Sequence, residues 1–391
     1  MKTLILSFYY KPDICAGAFR TEALIKSLIR LRPNEKVDIF TTQPHRYNIG
    51  KKLPRVEYLT ENIKVYRFKV PFGSNSLGAS IFNFFVFSLQ SSFYLCRNVL
   101  LTGRYNRVFA TSSRFFTSLL GIVYSSLLGS KCLLDVRDSF SDTLRTVYSK
   151  KLPSFIFDVL YSFEKHTYAS SHWVNFVSPS FLDYYGFSKS GKVSCFTNGI
   201  DDIFIESDFN KIKRSENDVK YITYIGNIGV GQGIPQFLER VLSYLPECYK
   251  IRVIGGGGDA KTVASLTNKY RNLEFISAVP RSLLIDYYAE SEILLLVLGQ
   301  GDAFKKVLPS KIFEYAATGK PVISGVSGFA KEFVKDNVDG VEIFDPLNAD
   351  SFIKAINDTV IENYRKQRED FIEKNRRQVI MDKLVHTIFN I

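Results

Sequence analysis

The stretch VLPSKIFEYAATGKPVISGVSG, residues 307–328, decides how the rest of the chain is read. It runs from a proline-marked helix start, through small residues and Gly319, into a short apolar strand and a glycine-bearing turn. Proline suits the first turn of a helix and glycine its end. A helix beginning near Pro309 puts Lys311 in its first turn and Glu314 one turn on. A lysine there can meet a diphosphate together with the helix N-terminus, and a carboxylate one turn later can accept both hydroxyls of a ribose. The same two residues would also make an ordinary i, i+3 ion pair on a solvated helix, worth about 0.2–0.5 kcal/mol. The small residues Ala316, Ala317, Thr318 and Gly319 favour the ligand, because they bring the helix close to the strand at Pro321–Ser324.

Outward from this stretch, short apolar runs alternate with longer helical patterns, which predicts parallel sheets covered by helices. In the first half the strand candidates are Thr3–Phe8, Val37–Thr41, Lys64–Phe68, Val108–Thr111, Cys132–Asp135, Trp173–Val177 and Val193–Phe196. The pattern restarts at Tyr221–Ile225 and continues through Ile251–Ile254, Leu273–Ile276, Ile293–Val297, Val322–Ser324 and Val341–Phe344. The expected fold class is therefore α/β, with two Rossmann-like, doubly wound domains. A polar segment between residues 198 and 218 reads as their linker. The expected division is 1–199 for an N-terminal acceptor-binding domain and 200–360 for a C-terminal nucleotide-sugar domain. Residues 361–391 are expected to form a C-terminal helix packing back toward the first domain.

Open sheets of this kind bind ligands at the carboxyl ends of their strands, where glycines let a helix N-terminus approach a phosphate. Four such places occur: Gly17 after the first strand; Gly226, Gly229, Gly231 and Gly233 in YIGNIGVGQG; Gly255–Gly258 before Asp259; and ISGVSG after Val322–Ser324. One glycine loop is as often a tight turn, but four at strand ends favour a binding cleft lined by backbone N–H groups. The GGGGD run follows the second strand of its domain and no acid lies suitably downstream, so it is not a dinucleotide fingerprint.

Composition narrows the classes further. The chain has 391 residues, a formal charge of +12, 46% hydrophobic and 23% charged residues, the balance of a folded protein of two domains. Five single cysteines without CxxC spacing and four scattered histidines argue against a disulfide framework or a protein-held metal. The expected compartment is the cytosol, and the N-terminal MKTLILSFYYKPD reads as a buried strand rather than a leader. Residues 1–199 hold 26 Lys/Arg against 12 Asp/Glu, the remainder 25 against 27, and no acid lies between Lys69 and Asp135. A basic half suits anionic lipid headgroups, phosphates or nucleic acid. The aromatic stretch at 81–101 nears membrane-spanning length but is broken by Asn83, Ser88, Gln90 and Arg97. It reads first as a buried helix and second as one lying in a membrane interface.

Together these segments resemble the family 4 glycosyltransferases, and within them the bacterial surface-polysaccharide branch, whose members carry a PSK-x-x-E-Y-x-A-x-G-K-P stretch. Further matches come in order: the Gly17 loop with Arg20, DVRDSFSD (135–142), VSPS (177–180), TNGID (197–201), YIGN–QG (224–233), IGGGGD (254–259) and AVPRSLLIDYYAESEILLL (278–296). The resemblance implies a GT-B fold, two domains facing a central cleft, and retaining transfer from a nucleotide-sugar without a metal or other cofactor. It assigns the ribose to Glu314 and the diphosphate to Lys311, the latter also catalytic. Gly17 would let the N-terminal loop approach the diphosphate, and Asp138 would lie by the transferred sugar or acceptor as the second catalytic residue. Pro309 and Ser310 belong to the same motif, and Gly226, Asn227, Gly229, Gly255 and Gly256 in the other matched segments are further donor-binding candidates. The chain departs from the family in two places. The first glutamate of E-x7-E is Lys306, and the Arg and Lys that commonly follow the first donor-domain strand are Asn227 and Gln232. Lys306, Lys305, Lys311 and Arg20 are then the cations left to meet the diphosphate.

The implied partners are a nucleotide-sugar, a saccharide or polyprenyl-diphosphate-linked acceptor and an anionic membrane on the inner face of the plasma membrane. No nucleic-acid module is visible. A nucleotide-sugar epimerase of GT-B fold and a non-catalytic nucleotide-sugar-binding protein remain as alternatives.

Overall fold

The structure, a computed structural model, describes residues 1–44, 53–71, 77–112, 114–209 and 219–391, without the side chains of Leu77 and Val230. The chain forms two compact units. Unit 1 is Met1–Asn198 with Gln378–Ile391, and unit 2 is Gly199–Arg377. The expected linker lies partly outside the described residues, at 210–218.

In unit 1 the strands are β1 (Lys2–Leu6), β2 (Lys36–Thr42), β3 (Val56–Tyr58), β4 (Ile63–Phe68), β5 (Arg107–Thr111), β6 (Lys131–Val136), β7 (Trp173–Phe176) and β8 (Val193–Cys195). They form one sheet in the order β3-β4-β2-β1-β5-β6-β7-β8, parallel except for the edge strand β3. Every residue of β1 is buried, the pattern of a strand covered on both faces. The short β3 escaped the sequence reading because its three residues, two half-buried and Tyr58 exposed, carry no apolar run.

In unit 2 the strands are β9 (Lys220–Asn227), β10 (Tyr249–Gly256), β11 (Leu273–Ser277), β12 (Ser291–Val297), β13 (Val322–Gly325) and β14 (Val341–Ile343). Their order is β11-β10-β9-β12-β13-β14, all parallel. The chain thus winds outward in one direction from β9 and in the other from β12. The β9/β12 boundary is the topological switch point, where such sheets bind ligands.

Two expectations are corrected. Residues 361–377 belong to unit 2, not to a C-terminal appendage. Arg368, fully buried, donates to the carbonyls of Asp339 (2.8 Å) and Lys320 (3.0 Å), tying this segment to the end of the helix Lys311–Thr318. The second concerns the aromatic helix Leu77–Thr102, which is not buried all round. Asn83, Phe87, Ser91, Leu95 and Asn98 face inward, while Ile81, Phe82, Phe85, Leu89, Phe93 and Leu100 are exposed. Three of the inward residues are polar and the outward row is apolar, the reverse of an ordinary surface helix. Ser91 and Ser92 bond the Tyr124 hydroxyl, and Asn98 bonds Asp38 and Tyr105.

Candidate functional site

The helix Lys311–Thr318 lies at the switch point of unit 2. Tyr315 fixes it there: its hydroxyl accepts from the backbone N–H of Ile225 on β9 (3.1 Å) and donates to the carbonyl of Leu295 on β12 (3.2 Å). Ile312 through Thr318 are all buried, so the small residues do pack the helix onto the sheet. Gly319 ends it in the left-handed region at φ 74°; a Cβ there would come within 2.3 Å of the Asn363 side chain.

This burial removes the solvated-helix reading of Lys311 and Glu314. Glu314 is 6% exposed, and both carboxylate oxygens are occupied. Oε1 accepts from Arg281 (3.0 Å); Oε2 accepts from Lys311 (2.7 Å) and the Tyr288 hydroxyl (3.1 Å). Burial alone would push its pKa up. The charges of Lys311, Arg281 and Arg377 outweigh that and bring it down to about 2, so Glu314 stays ionised. Arg281 in turn pairs with Asp201, which also holds Arg377 at 2.7 Å. Burial lowers the pKa of Arg281, but Glu314 and Asp201 raise it above its ordinary value. Lys311 keeps about a quarter of its side chain exposed, enough to reach a ligand.

Sequence reading missed Arg281, Tyr288, Asp201 and Arg377. The first three lie inside quoted motifs, but nothing local says that Arg281 reaches a carboxylate 33 residues later.

The loops at the carboxyl ends of β9, β10 and β12 explain the glycines differently from the sequence. A Cβ on Gly255 would lie 1.9 Å from the Gly226 carbonyl, and one on Gly299 2.1 Å from that of Gly231. Gly255 is therefore required where β10 meets β9, and Gly299 where its loop meets the turn at Gly231. Gly226, Gly229 and Gly256 are half-exposed along this edge. Asn227, exposed, donates to Gln232 at 2.8 Å, so the two residues standing where the family has cations bond one another. Pro309 is buried and Ser310 half-buried ahead of Lys311. Lys306 is half-buried in the turn Phe304–Lys306, while Lys305 pairs with Asp302 (2.7 Å).

In unit 1, Gly17 is buried in the first turn of the helix Ala16–Leu31. Arg20 lies one turn on but is no free cation. Its Nε and Nη2 each donate to Asp135 at 2.8 Å, and its remaining N–H groups meet the carbonyls of Phe196 and Thr197. It is 3% exposed, a clamp between β6 and the end of β8 rather than a diphosphate ligand. Asp138 is exposed on the loop after β6. Among the described residues no three His, Cys, Asp or Glu side chains gather as a metal site.

Residues 206–378 match the family model described as Glycosyl transferases group 1. No curated protein sequence matches the chain. Among solved structures, HepE of Anabaena in complex with UDP-glucose superposes over 100% of both chains with a TM-score of 0.66 at 14% identity. WaaG, a glycosyltransferase involved in lipopolysaccharide biosynthesis, covers 99% of each chain with a TM-score of 0.64 at 11% identity. The lipopolysaccharide outer core galactosyltransferase WaaB gives 0.60 at 14%, over 100% of this chain and 99% of its own. Residues 206–378 thus carry a glycosyl transferases group 1 domain, and the chain as a whole has the GT-B fold of these glycosyltransferase structures.

Proposed function

We propose that the protein transfers a sugar, with retention, from a nucleotide-sugar to a lipid-diphosphate-linked saccharide at the cytoplasmic face of a membrane, in the building of a surface polysaccharide. The observation that carries the donor half is the ionised, buried Glu314 beside a reachable Lys311 at the β9/β12 switch point. Glu314 offers its remaining lone pairs to the ribose hydroxyls, and Lys311, with the N-terminus of its helix, meets the diphosphate. Solved relatives in fold were crystallised with UDP and UDP-glucose, which supports a nucleotide-sugar donor.

In the proposed reaction the bond from the anomeric carbon to the diphosphate oxygen breaks. The acceptor oxygen bonds to the same face of the sugar, and its proton passes to the departing phosphate. Charge grows on the leaving group, so fixed cations and N–H dipoles there stabilise the transition state most. Lys306 stands where the family has a glutamate, and its charge adds to that of Lys311. Asp138, exposed on unit 1, is assigned to the sugar or acceptor. No metal or other cofactor takes part.

The acceptor half rests on the apolar face of unit 1. Phe85, Leu89 and Phe93 are exposed, as are Val123 and Leu127 on the helix Phe115–Leu128 and Phe155, Val159 and Phe163 on the helix Ser154–Ala169. Tyr124 links the first two helices, and the Phe115–Phe163 ring contact links the second pair. Arg97 and Arg104 are exposed cations at the end of the first helix. Aromatics flanked by arginine suit the interface of an anionic bilayer.

The test is nucleotide release. The purified protein is mixed with UDP-, GDP- and dTDP-sugars in the presence and absence of membranes carrying lipid-diphosphate saccharides. Acceptor-dependent release of a nucleoside diphosphate, with the product's anomeric configuration that of the donor, is expected. Inverted product, or release indifferent to the acceptor, refutes the reading.

A further inference from the structure

Glu314 is gripped from two sides, and a ligand would act on the two grips differently. Each carboxylate oxygen offers two lone-pair positions. Oε2 has both filled, by Lys311 (2.7 Å) and the Tyr288 hydroxyl (3.1 Å), whereas Oε1 has one filled, by Arg281 (3.0 Å). A diphosphate that draws Lys311 away frees a place on Oε2. With the open place on Oε1, that provides for both hydroxyls of a ribose. Arg281 is then the cation that stays on the carboxylate.

Arg281 does not hold that place by itself. It is the first residue of the helix Arg281–Glu290, where the helix dipole disfavours a cation and no acid lies in the first turn. Its second counter-charge comes from Asp201, and its guanidinium lies over the Phe204 ring, 5.0 Å from the centroid. Asp201 stands at the N-cap of the short helix Asp202–Glu206, where an aspartate ordinarily accepts from the helix N–H groups, yet its side chain makes no such cap. Its carboxylate is turned instead to two arginines, Arg281 and, at 2.7 Å, Arg377. Arg377 is buried and also donates to the Gly199 carbonyl (3.1 Å). Asp201 and Arg377 lie where unit 2 begins and ends. There the two segments run side by side. The N–H of Ile200 donates to the Asn375 carbonyl and that of Arg377 to the Ile200 carbonyl, both at 2.7 Å, and Arg376 pairs with Asp202 at 3.1 Å. A row of alternating charges, Arg377–Asp201–Arg281–Glu314, thus leads from the ends of unit 2 to the donor carboxylate. Buried charges are costly unless each is met, so the loss of one link is felt along the row.

We infer that Asp201, anchored by Arg377, is a positioning residue for the donor: it fixes Arg281 on Oε1 of Glu314 and keeps the carboxylate aimed at the ribose once Lys311 has turned to the diphosphate. The inference rests on the reading of Glu314 as the ribose ligand. Donor affinity is then set in part from the ends of unit 2, by side chains that act through Arg281 and touch no ligand themselves.

The test is a double-mutant cycle on the full chain, read by calorimetry with whichever of UDP, GDP and dTDP the wild type binds tightest. Asp201→Asn keeps the shape and removes the charge, and should raise Kd roughly tenfold. Beside Glu314→Gln the same substitution should change Kd by less than about twofold, because the carboxylate through which it acts has gone. A residue that merely holds unit 2 together would raise Kd equally in both backgrounds, and that result overturns the inference. So does an Asp201→Asn variant within about twofold of wild type, which leaves the donor reading of Glu314 standing. A wild type that binds none of the three nucleotides at millimolar concentration removes the donor reading and this inference with it. If Asp201→Asn fails to fold, Arg377→Gln takes its place at the far end of the row. A rise of roughly three- to tenfold that vanishes beside Glu314→Gln supports the inference, and no rise, or an equal rise in both backgrounds, overturns it.

Discussion

Glu314 holds its charge in a place where burial opposes it, and that tension makes it the most informative residue to alter. Glu314→Gln keeps the shape and removes the charge that Lys311 and Arg281 answer. On the folded variant, donor affinity should fall by about 1–3 kcal/mol, measured by calorimetry with the nucleotide-sugar. Lys311→Ala should lower turnover more than affinity, because its charge matters most as the diphosphate departs. The same carboxylate makes stability depend on pH. Its pKa, ordinarily near 4.5, is about 2 in the folded chain, so its stabilisation is complete above about pH 4.5. It drains away as the pH falls toward 2. The stability gap between wild type and Glu314→Gln should therefore shrink by on the order of 3 kcal/mol across that window. Urea denaturation at several pH values reads this directly, and a constant gap would remove the ion-pair account.

At the scale of elements, two features make opposite demands. The carboxyl ends of β9 and β10 meet so closely that Gly255→Ala would press a methyl group onto the Gly226 carbonyl. Backbone cannot swing aside as a side chain can, so the strands must part. A loss of about 1–3 kcal/mol in unfolding free energy is expected, with weaker donor binding. The helix Leu77–Thr102 is instead free on its outer face. Replacing Phe85 and Phe93 by serine should leave the fold intact, since both are more than half exposed, while reducing co-sedimentation with anionic vesicles several-fold. Arg97→Gln with Arg104→Gln should remove the salt-sensitive part of that binding, roughly 1 kcal/mol per charge. Arg107 is unsuited to this test because it bonds the Phe389 carbonyl and stacks on its ring. Vesicle binding unaltered in both sets would end the membrane reading.

For the whole molecule, the two units have separate cores, and unit 1 is completed only by the last residues of the chain. Ile380, Met381, Leu384, Val385 and Ile388 are buried together with Leu24, Leu28 and Ile39. Met381→Ala should cost about 2–5 kcal/mol in unit 1. Calorimetric melting should show one transition moving down while the one belonging to unit 2 stays in place. A uniform shift of both transitions would mean that the units do not unfold independently.

The sequence by itself determined the layout of strands and helices. Thirteen expected strands lie within a residue or two of those observed, because fully covered parallel strands are apolar throughout and stand out from polar loops. The helix Lys311–Thr318 was legible for the same local reason: proline, small residues and glycine mark where a helix begins, presses on a sheet and stops. Tertiary structure decided how each side chain is used. Arg20 looked like a cation for a ligand and is a clamp on Asp135. The glycine run Gly255–Gly258 looked like a phosphate cradle, yet Gly255 makes room for the carbonyl of Gly226 on the neighbouring strand. The aromatic helix looked buried and turns Phe82, Phe85 and Phe93 outward. The physical reason is common to all three. Hydrophobic periodicity and backbone conformation are properties of neighbours in sequence, whereas the partner of a charge, the obstacle to a Cβ and the solvent on a helix face are set by residues tens to hundreds of positions away.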